Sequence, residues 1–153
     1  MNISHSLLVE AAKKWLHKNG HENCPIVLTE ERCAGNKEIV DAIGFNHIHS
    51  VLIEVKVSRS DFLRDKKKVY RIDQESGVGN FRLYLTLPGI ISASDLPEKW
   101  GLMYYDNGKI HISVNPFFGN INSKSPNKFI SNKKEERSLL YSGMRKLLTL
   151  KSA

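Results

Sequence analysis

The chain has 153 residues, of which 41% are hydrophobic and 25% charged, a balance typical of one folded domain and not of a disordered chain. Lys and Arg number 23 against 16 Asp and Glu, and the net charge of +7 favours a polyanionic partner such as nucleic acid. Two cysteines, Cys24 and Cys33, are too few for a disulfide framework, and no apolar run reaches the roughly 18–20 residues that cross a bilayer. The N-terminal segment lacks a basic start and Glu10 interrupts its apolar stretch, so it does not read as a secretory signal; a cytoplasmic protein with reduced thiols and no membrane partner is expected.

A first helix is predicted from Ser4 to about Asn19. Leu7, Leu8, Ala11, Ala12, Trp15 and Leu16 recur on one face, and Asn19-Gly20 is its stop. Strands are predicted over 25–31, 38–45 and 49–58. The third alternates most clearly: Val51, Ile53, Val55 and Val57 share one face, and Leu52, Glu54, Lys56 and Ser58 the other. A helix follows over about 60–72, with Ser60 as N-cap. Its apolar face would be Phe62, Leu63, Val69 and Tyr70. Arg64, Lys67, Lys68 and Arg71 fall on the opposite side as a basic stripe that could meet a phosphate backbone, and Arg59 joins them from the helix start. Lys66 falls within the apolar face, so it must snorkel or find an anion; the expectation is that it reaches the carboxylate cluster described next or a substrate phosphate.

A strand over 81–87 precedes a hairpin, with Asn107-Gly108 as its turn between 101–105 and 109–114. Residues 115–131 read as a loop. A basic amphipathic helix over 132–150 ends the chain as an appendage, with Leu140, Met144, Leu147 and Leu148 as an apolar stripe for the core or a partner subunit. The order is helix, three strands, helix, strand, hairpin, helix: one α/β domain built on a mixed sheet flanked by helices.

The chemistry concentrates on the second and third strands. Glu54 and Lys56 are two residues apart on one strand face, with Cα atoms about 6.5 Å apart. Asp41 interrupts the apolar run IVDAI and lies beside Glu54 if the two strands pair. Two adjacent carboxyl groups repel unless a proton or a cation intervenes. A hard divalent ion resolves the conflict: Mg²⁺ takes carboxylate oxygens and keeps waters and phosphate oxygens in its remaining positions. A lysine beside it places an ammonium near the water and the phosphate charge that develops. Read without that chemistry, Glu54 and Lys56 are a solvent-facing pair, the basic stripe a solvated helix face, and Ser58, Arg59 and Asp61 shape a turn. His17 and His21 straddle Gly20 and make no metal pair, and Gly77-Val78-Gly79 lacks the context of a phosphate loop.

The pattern Asp41-x12-Glu54-Val55-Lys56, followed by the run EVKVSRSDFLRDKK from Glu54 to Lys67, resembles the PD-(D/E)XK nuclease superfamily, in particular its MmcB-like DNA-repair and phage proteins. Leu96-Pro97 and Gly101-Leu102 are similar to a later element of that group. Val40 stands where the family has proline. The resemblance spans about residues 25–105. It implies a restriction-endonuclease-like core (αβββαβ) carrying an added hairpin and C-terminal helix. It implies further that Asp41 and Glu54 bind Mg²⁺, with Mn²⁺ able to substitute, and that Lys56 assists the attacking water. Glu31 matches a supporting acidic position, whereas Glu10 falls opposite the apolar face of its helix. The activity implied is hydrolysis of a DNA phosphodiester, leaving a 5′-phosphate and a 3′-hydroxyl. The alternative is a non-catalytic module on the same fold that binds DNA or a repair or phage partner; a homodimer would set two sites on opposite strands.

Overall fold

The computed structural model describes residues 3–18, 23–117 and 125–152. Helix α1, His5–Lys18, starts where the Ser4 hydroxyl accepts the Leu7 N–H at 3.2 Å. It buries Leu8, Val9, Ala12 and Leu16, while Leu7 stays exposed, so the buried face is turned towards Val9 from the one expected. The expected stop at Asn19-Gly20 and His21 lie outside the described residues.

Strands β1 (Ile26–Arg32), β2 (Ile39–Phe45) and β3 (Ser50–Val55) form an antiparallel meander. Short helices α2 (Arg59–Asp65) and α3 (Val69–Ile72) cross over to β4 (Phe81–Thr86), which runs parallel to β3. β5 (Gly101–Asp106) is parallel to β4, and β6 (Lys109–Val114) returns antiparallel. The six strands lie side by side in chain order in one mixed sheet. Asn107 and Gly108 both take positive φ, 50° and 76°, which is what a two-residue hairpin turn of matching twist requires.

β3 and β4 are buried along their whole length, as parallel strands covered on both faces are. On one face Val51, Ile53, Val55, Phe81, Leu83 and Leu85 pack under α1. On the other, Leu52, Phe62, Tyr84, Trp100, Phe129 and Leu139 form a second, more aromatic core. Cys33 lies in that second core, and burial, with Glu38 close by, pushes its thiol up to about 12. In the native protein Cys33 is therefore expected to react with Ellman's reagent at least about a hundredfold more slowly than in guanidinium, because the thiolate is the reactive form.

Three departures from the sequence expectations matter for the site. β3 ends at Val55 and not at Ser58, because the Val55 N–H goes to the Asp41 side chain and Ser58 leaves the sheet to cap α2. Ser58, not Ser60, is that cap; its hydroxyl accepts the Asp61 N–H at 3.2 Å. The helix expected over 60–72 is broken: Lys68 is extended (φ −67°, ψ 147°) between α2 and α3. Residues six apart on an unbroken helix point about 120° away from each other. The break lets Arg71 fold back onto Asp65, with Nε 2.9 Å from Oδ2.

Helix α4, Lys133–Ser152, is built into the domain at its start and not appended to it. Glu135 accepts the Gly35 N–H at 3.0 Å. Glu136 accepts the Ser50 hydroxyl at 2.6 Å, the Gly79 N–H at 2.9 Å and the Ser131 hydroxyl. Further along, α4 passes close over β1 at Gly143, where a Cβ would sit 2.6 Å from the Leu28 side chain and require it to shift. The stripe Leu140, Met144, Leu147 and Leu148 faces outward, and Leu139 is the residue of this helix that enters the apolar core. Among the described residues no helix is long and apolar enough to cross a membrane.

Candidate functional site

The site forms where β2 and β3 part. Their ladder runs from Phe45–Ser50 to Ala42–Ile53, and one further step brings Asp41 opposite Glu54. There the Asp41 carboxylate replaces a backbone carbonyl: Oδ2 accepts the Val55 N–H at 2.7 Å. Oδ1 lies 3.2 Å from His5 Nε2, at the start of α1. Beside it Glu54 is only 2% exposed. Its Oε2 is 3.9 Å from Lys56 Nζ and its Oε1 is 3.2 Å from Arg71 Nη2. Lys56, one residue past the strand, donates its backbone N–H to Leu85 of β4 at 3.0 Å, which fixes its position over the sheet. Asp41, Glu54 and Lys56 thus line one cleft of about 390 Å³, with His5, Arg64 and Lys68 also on its walls.

Beneath the cleft lies a buried charge cluster. Asp65, the last residue of α2, turns Oδ1 towards Lys56 Nζ and Lys68 Nζ, each 3.4 Å away. Its Oδ2 accepts from Tyr84 Oη at 2.7 Å and from Arg71 Nε at 2.9 Å. Arg71 also donates to Glu38 Oε2 at 2.7 Å, so one guanidinium meets three carboxylates. Its planar fork stacks near the rings of Tyr70 and Trp100, with centroids 4.9 and 5.0 Å away.

The two central carboxyls are driven apart in acidity. Burial pushes Glu54 well above the usual carboxylate range and the neighbouring Asp41 adds to the rise, against the pull of Arg71 and Lys56. Burial acts the same way on Asp65, but Arg71, Lys56 and the Tyr84 hydrogen bond outweigh it and hold that group below its ordinary value. Neighbouring carboxyls shifted in opposite directions by burial and charge mark a candidate functional site.

Several residues expected here are elsewhere. Arg71 is buried among carboxylates and does not present a phosphate contact; the basic stripe does not form, because the helix that would carry it breaks at Lys68. Lys66 donates to the Asp95 carbonyl at 2.9 Å and lies over the Phe62 ring, so it does not reach the carboxylates. Glu31 pairs with Lys146 of α4 at 2.7 Å, on the edge strand and away from the cleft. Arg59 is exposed, and its guanidinium grips Asp95 with two hydrogen bonds of 2.9 Å. Lys67 is exposed outside the cleft, and Arg64, paired with Asp61, lines its wall. Of the expected apolar face of this segment, Phe62 is buried while Leu63 and Val69 are exposed. Glu10 is exposed on α1.

Sequence reading missed Glu38, Asp65 and His5. Asp65 stood within the run that carried the resemblance, and that run was the available signal. Nothing local marked Glu38 or His5, whose partners lie 33 and 36 positions away.

Asp41 and Glu54 bring hard oxygen donors to the cleft; Glu54 Oε1 is held 3.2 Å from Arg71 Nη2, and its Oε2 lies 3.9 Å from Lys56 Nζ. Among the described residues no group of three or more His, Cys, Asp and Glu is arranged to hold a metal. A site of one or two carboxylates completed by water and phosphate oxygens is the kind that Mg²⁺ uses, so the donor set fits that ion.

No protein-family model matches the sequence, and no curated protein matches it. A solved structure of a protein of unknown function from Silicibacter pomeroyi is similar in fold, with a TM-score of 0.67 and 18% identity over 99% of this chain and 94% of that one.

Proposed function

We propose that this chain is a Mg²⁺-dependent DNA nuclease of the PD-(D/E)XK type, with a restriction-endonuclease-like core. The observation that carries the reading is the convergence of Asp41, Glu54 and Lys56 on one cleft. The strand order supports it: three antiparallel strands, a helical crossover, then a parallel strand, with the charged triplet at the point where the second and third strands part.

In this reading Asp41 and Glu54 hold the metal ion, which supplies Lewis acidity towards the phosphate oxygens and acidifies a water. Asp41 is pinned by the Val55 N–H, so its second oxygen keeps a fixed direction. Lys56 sets its ammonium against the charge that builds on the phosphorus oxygens as water adds and the bond to the 3′-oxygen breaks. Arg64 and Lys68, both exposed on the cleft wall, draw the phosphate backbone in, an attraction that salt weakens steeply.

A second reading, a DNA-binding module without turnover, has one observation in its favour: Arg71 and Lys56 already face Glu54, so the cluster is compensated without a metal. The test is incubation of the purified protein with single-stranded, duplex and branched DNA in Mg²⁺, Mn²⁺ or EDTA. Cleavage is expected with either ion, is lost in EDTA and in Asp41→Ala, and falls to a small measurable residue in Lys56→Ala. Binding that persists in all conditions without cleavage favours the second reading, and cleavage that survives EDTA rejects the first.

A further inference from the structure

We propose that Asp65 is a positioning residue that fixes the direction of the Lys56 ammonium in the cleft; the inference deepens the nuclease reading and rests on it for its catalytic consequence. The two oxygens of Asp65 are used differently. Oδ2 is locked by two hydrogen bonds, from Tyr84 Oη at 2.7 Å and Arg71 Nε at 2.9 Å. Both donors are themselves held: Tyr84 stacks on Trp100 with centroids 4.4 Å apart, and Arg71 is gripped by Glu38. Oδ1 is buried, makes no hydrogen bond and looks towards the cleft.

Lys56 Nζ lies 3.4 Å from that oxygen and 3.9 Å from Glu54 Oε2, so Asp65 is its nearer anion. A separation of 3.4 Å is longer than the roughly 2.7–2.9 Å of a charge-assisted hydrogen bond. The carboxylate therefore aims the ammonium without consuming its protons, which stay available to a water and a phosphate oxygen. A flexible four-carbon side chain otherwise samples many rotamers, and a displacement of about 1 Å at a reacting group can cost about a hundredfold in rate. Lys68 approaches the same oxygen from the exposed side, its Nζ also 3.4 Å from Oδ1.

Asp65→Asn separates positioning from folding. The amide oxygen still accepts from Tyr84 and Arg71, while an NH2 group replaces the oxygen that faced Lys56. The expected result is a fall in kcat of about 10–100-fold with KM changed by less than about threefold. In the Lys56→Ala background the same substitution costs less than about threefold, since a residue that acts through Lys56 has nothing left to direct. Tyr84→Phe, which keeps the charge but frees one anchor of the carboxylate, lowers kcat by a few-fold, and it serves as the test if Asp65→Asn does not fold.

A readout without turnover completes the experiment. The ¹⁵N ammonium resonance of Lys56, slowed in exchange by its partner, is expected in the parent protein and lost in Asp65→Asn and broadened in Tyr84→Phe. An unchanged resonance, or fully additive losses in the double variant, overturns the proposal. A parent protein that shows the resonance and its loss on substitution, yet cleaves no DNA, rejects the nuclease reading and supports Asp65 as the residue that sets Lys56.

Discussion

Glu54→Gln is expected to lower Mg²⁺-dependent cleavage by about a thousandfold or more while the folded protein keeps or gains thermal stability. The two effects have one cause. Glu54 is buried beside Asp41, and both features oppose its ionised form. A glutamine has nearly the same volume and carries no charge to desolvate, so the folded state loses little. Arg71 keeps its two shorter contacts, to Glu38 at 2.7 Å and Asp65 at 2.9 Å, and gives up only the one at 3.2 Å. In the proposed nuclease reading the reaction loses more, because a neutral amide oxygen is a much weaker ligand than a carboxylate for a hard divalent ion. Destabilised functional groups of this kind are where stability and activity trade against each other. Parallel measurement of cleavage rate and Tm checks the expectation; retained cleavage with a Tm lowered by several degrees would refute it.

The second large effect is on folding. Arg71→Met is expected to destabilise the protein by about 3–5 kcal/mol, because it leaves Glu38, Glu54 and Asp65 buried around a vacated cation. For a chain of this length that corresponds to a Tm lowered by roughly 6–20 °C. The loss depends on pH in a definite direction. Arg71 helps hold Asp65 below its ordinary value, so its contribution is present above the unfolded-state value of about 3.9 and disappears as pH falls through the folded one. Urea unfolding of the two proteins should therefore show a wide gap at pH 7 that narrows at pH 4 and below. A gap that widens on acidification would exclude the carboxylate cluster as its source. Arg71→Lys is no substitute, since an ammonium cannot span three carboxylates as the guanidinium fork does.

The sheet was legible wherever one local signal dominated. The alternation of Val51, Ile53 and Val55 identified the face under α1, and Asn107-Gly108 identified the hairpin turn. Asp41 stood out because an acid in an apolar strand needs a reason, and its reason is the Val55 N–H as well as the cleft. What failed was the helical wheel over 60–72. It assumed a continuous helix, and neither Gly nor Pro marks the break at Lys68. The break accompanies a tertiary demand, the closure of Arg71 onto Asp65, Glu38 and Glu54, and two of those four residues, Glu38 and Glu54, come from elements outside the local window. The same limit explains Glu31, expected to support the metal site, and Lys66, expected to reach the carboxylates or a phosphate: their partners, Lys146 and the Asp95 carbonyl, lie far along the chain.

The fastening of α4 has a kinetic consequence. The hairpin of β5 and β6 closes through a two-residue turn and can form within microseconds. The bonds from Glu136 to Ser50, Glu135 to Gly35 and Lys146 to Glu31 join residues 86, 100 and 115 positions apart. Contacts of such separation carry the loop-closure entropy of most of the chain and form late. Until they do, β1 is an edge strand packed by α1 but not yet by α4, and a partly folded chain in that state is expected to be the one most open to pairing with another copy.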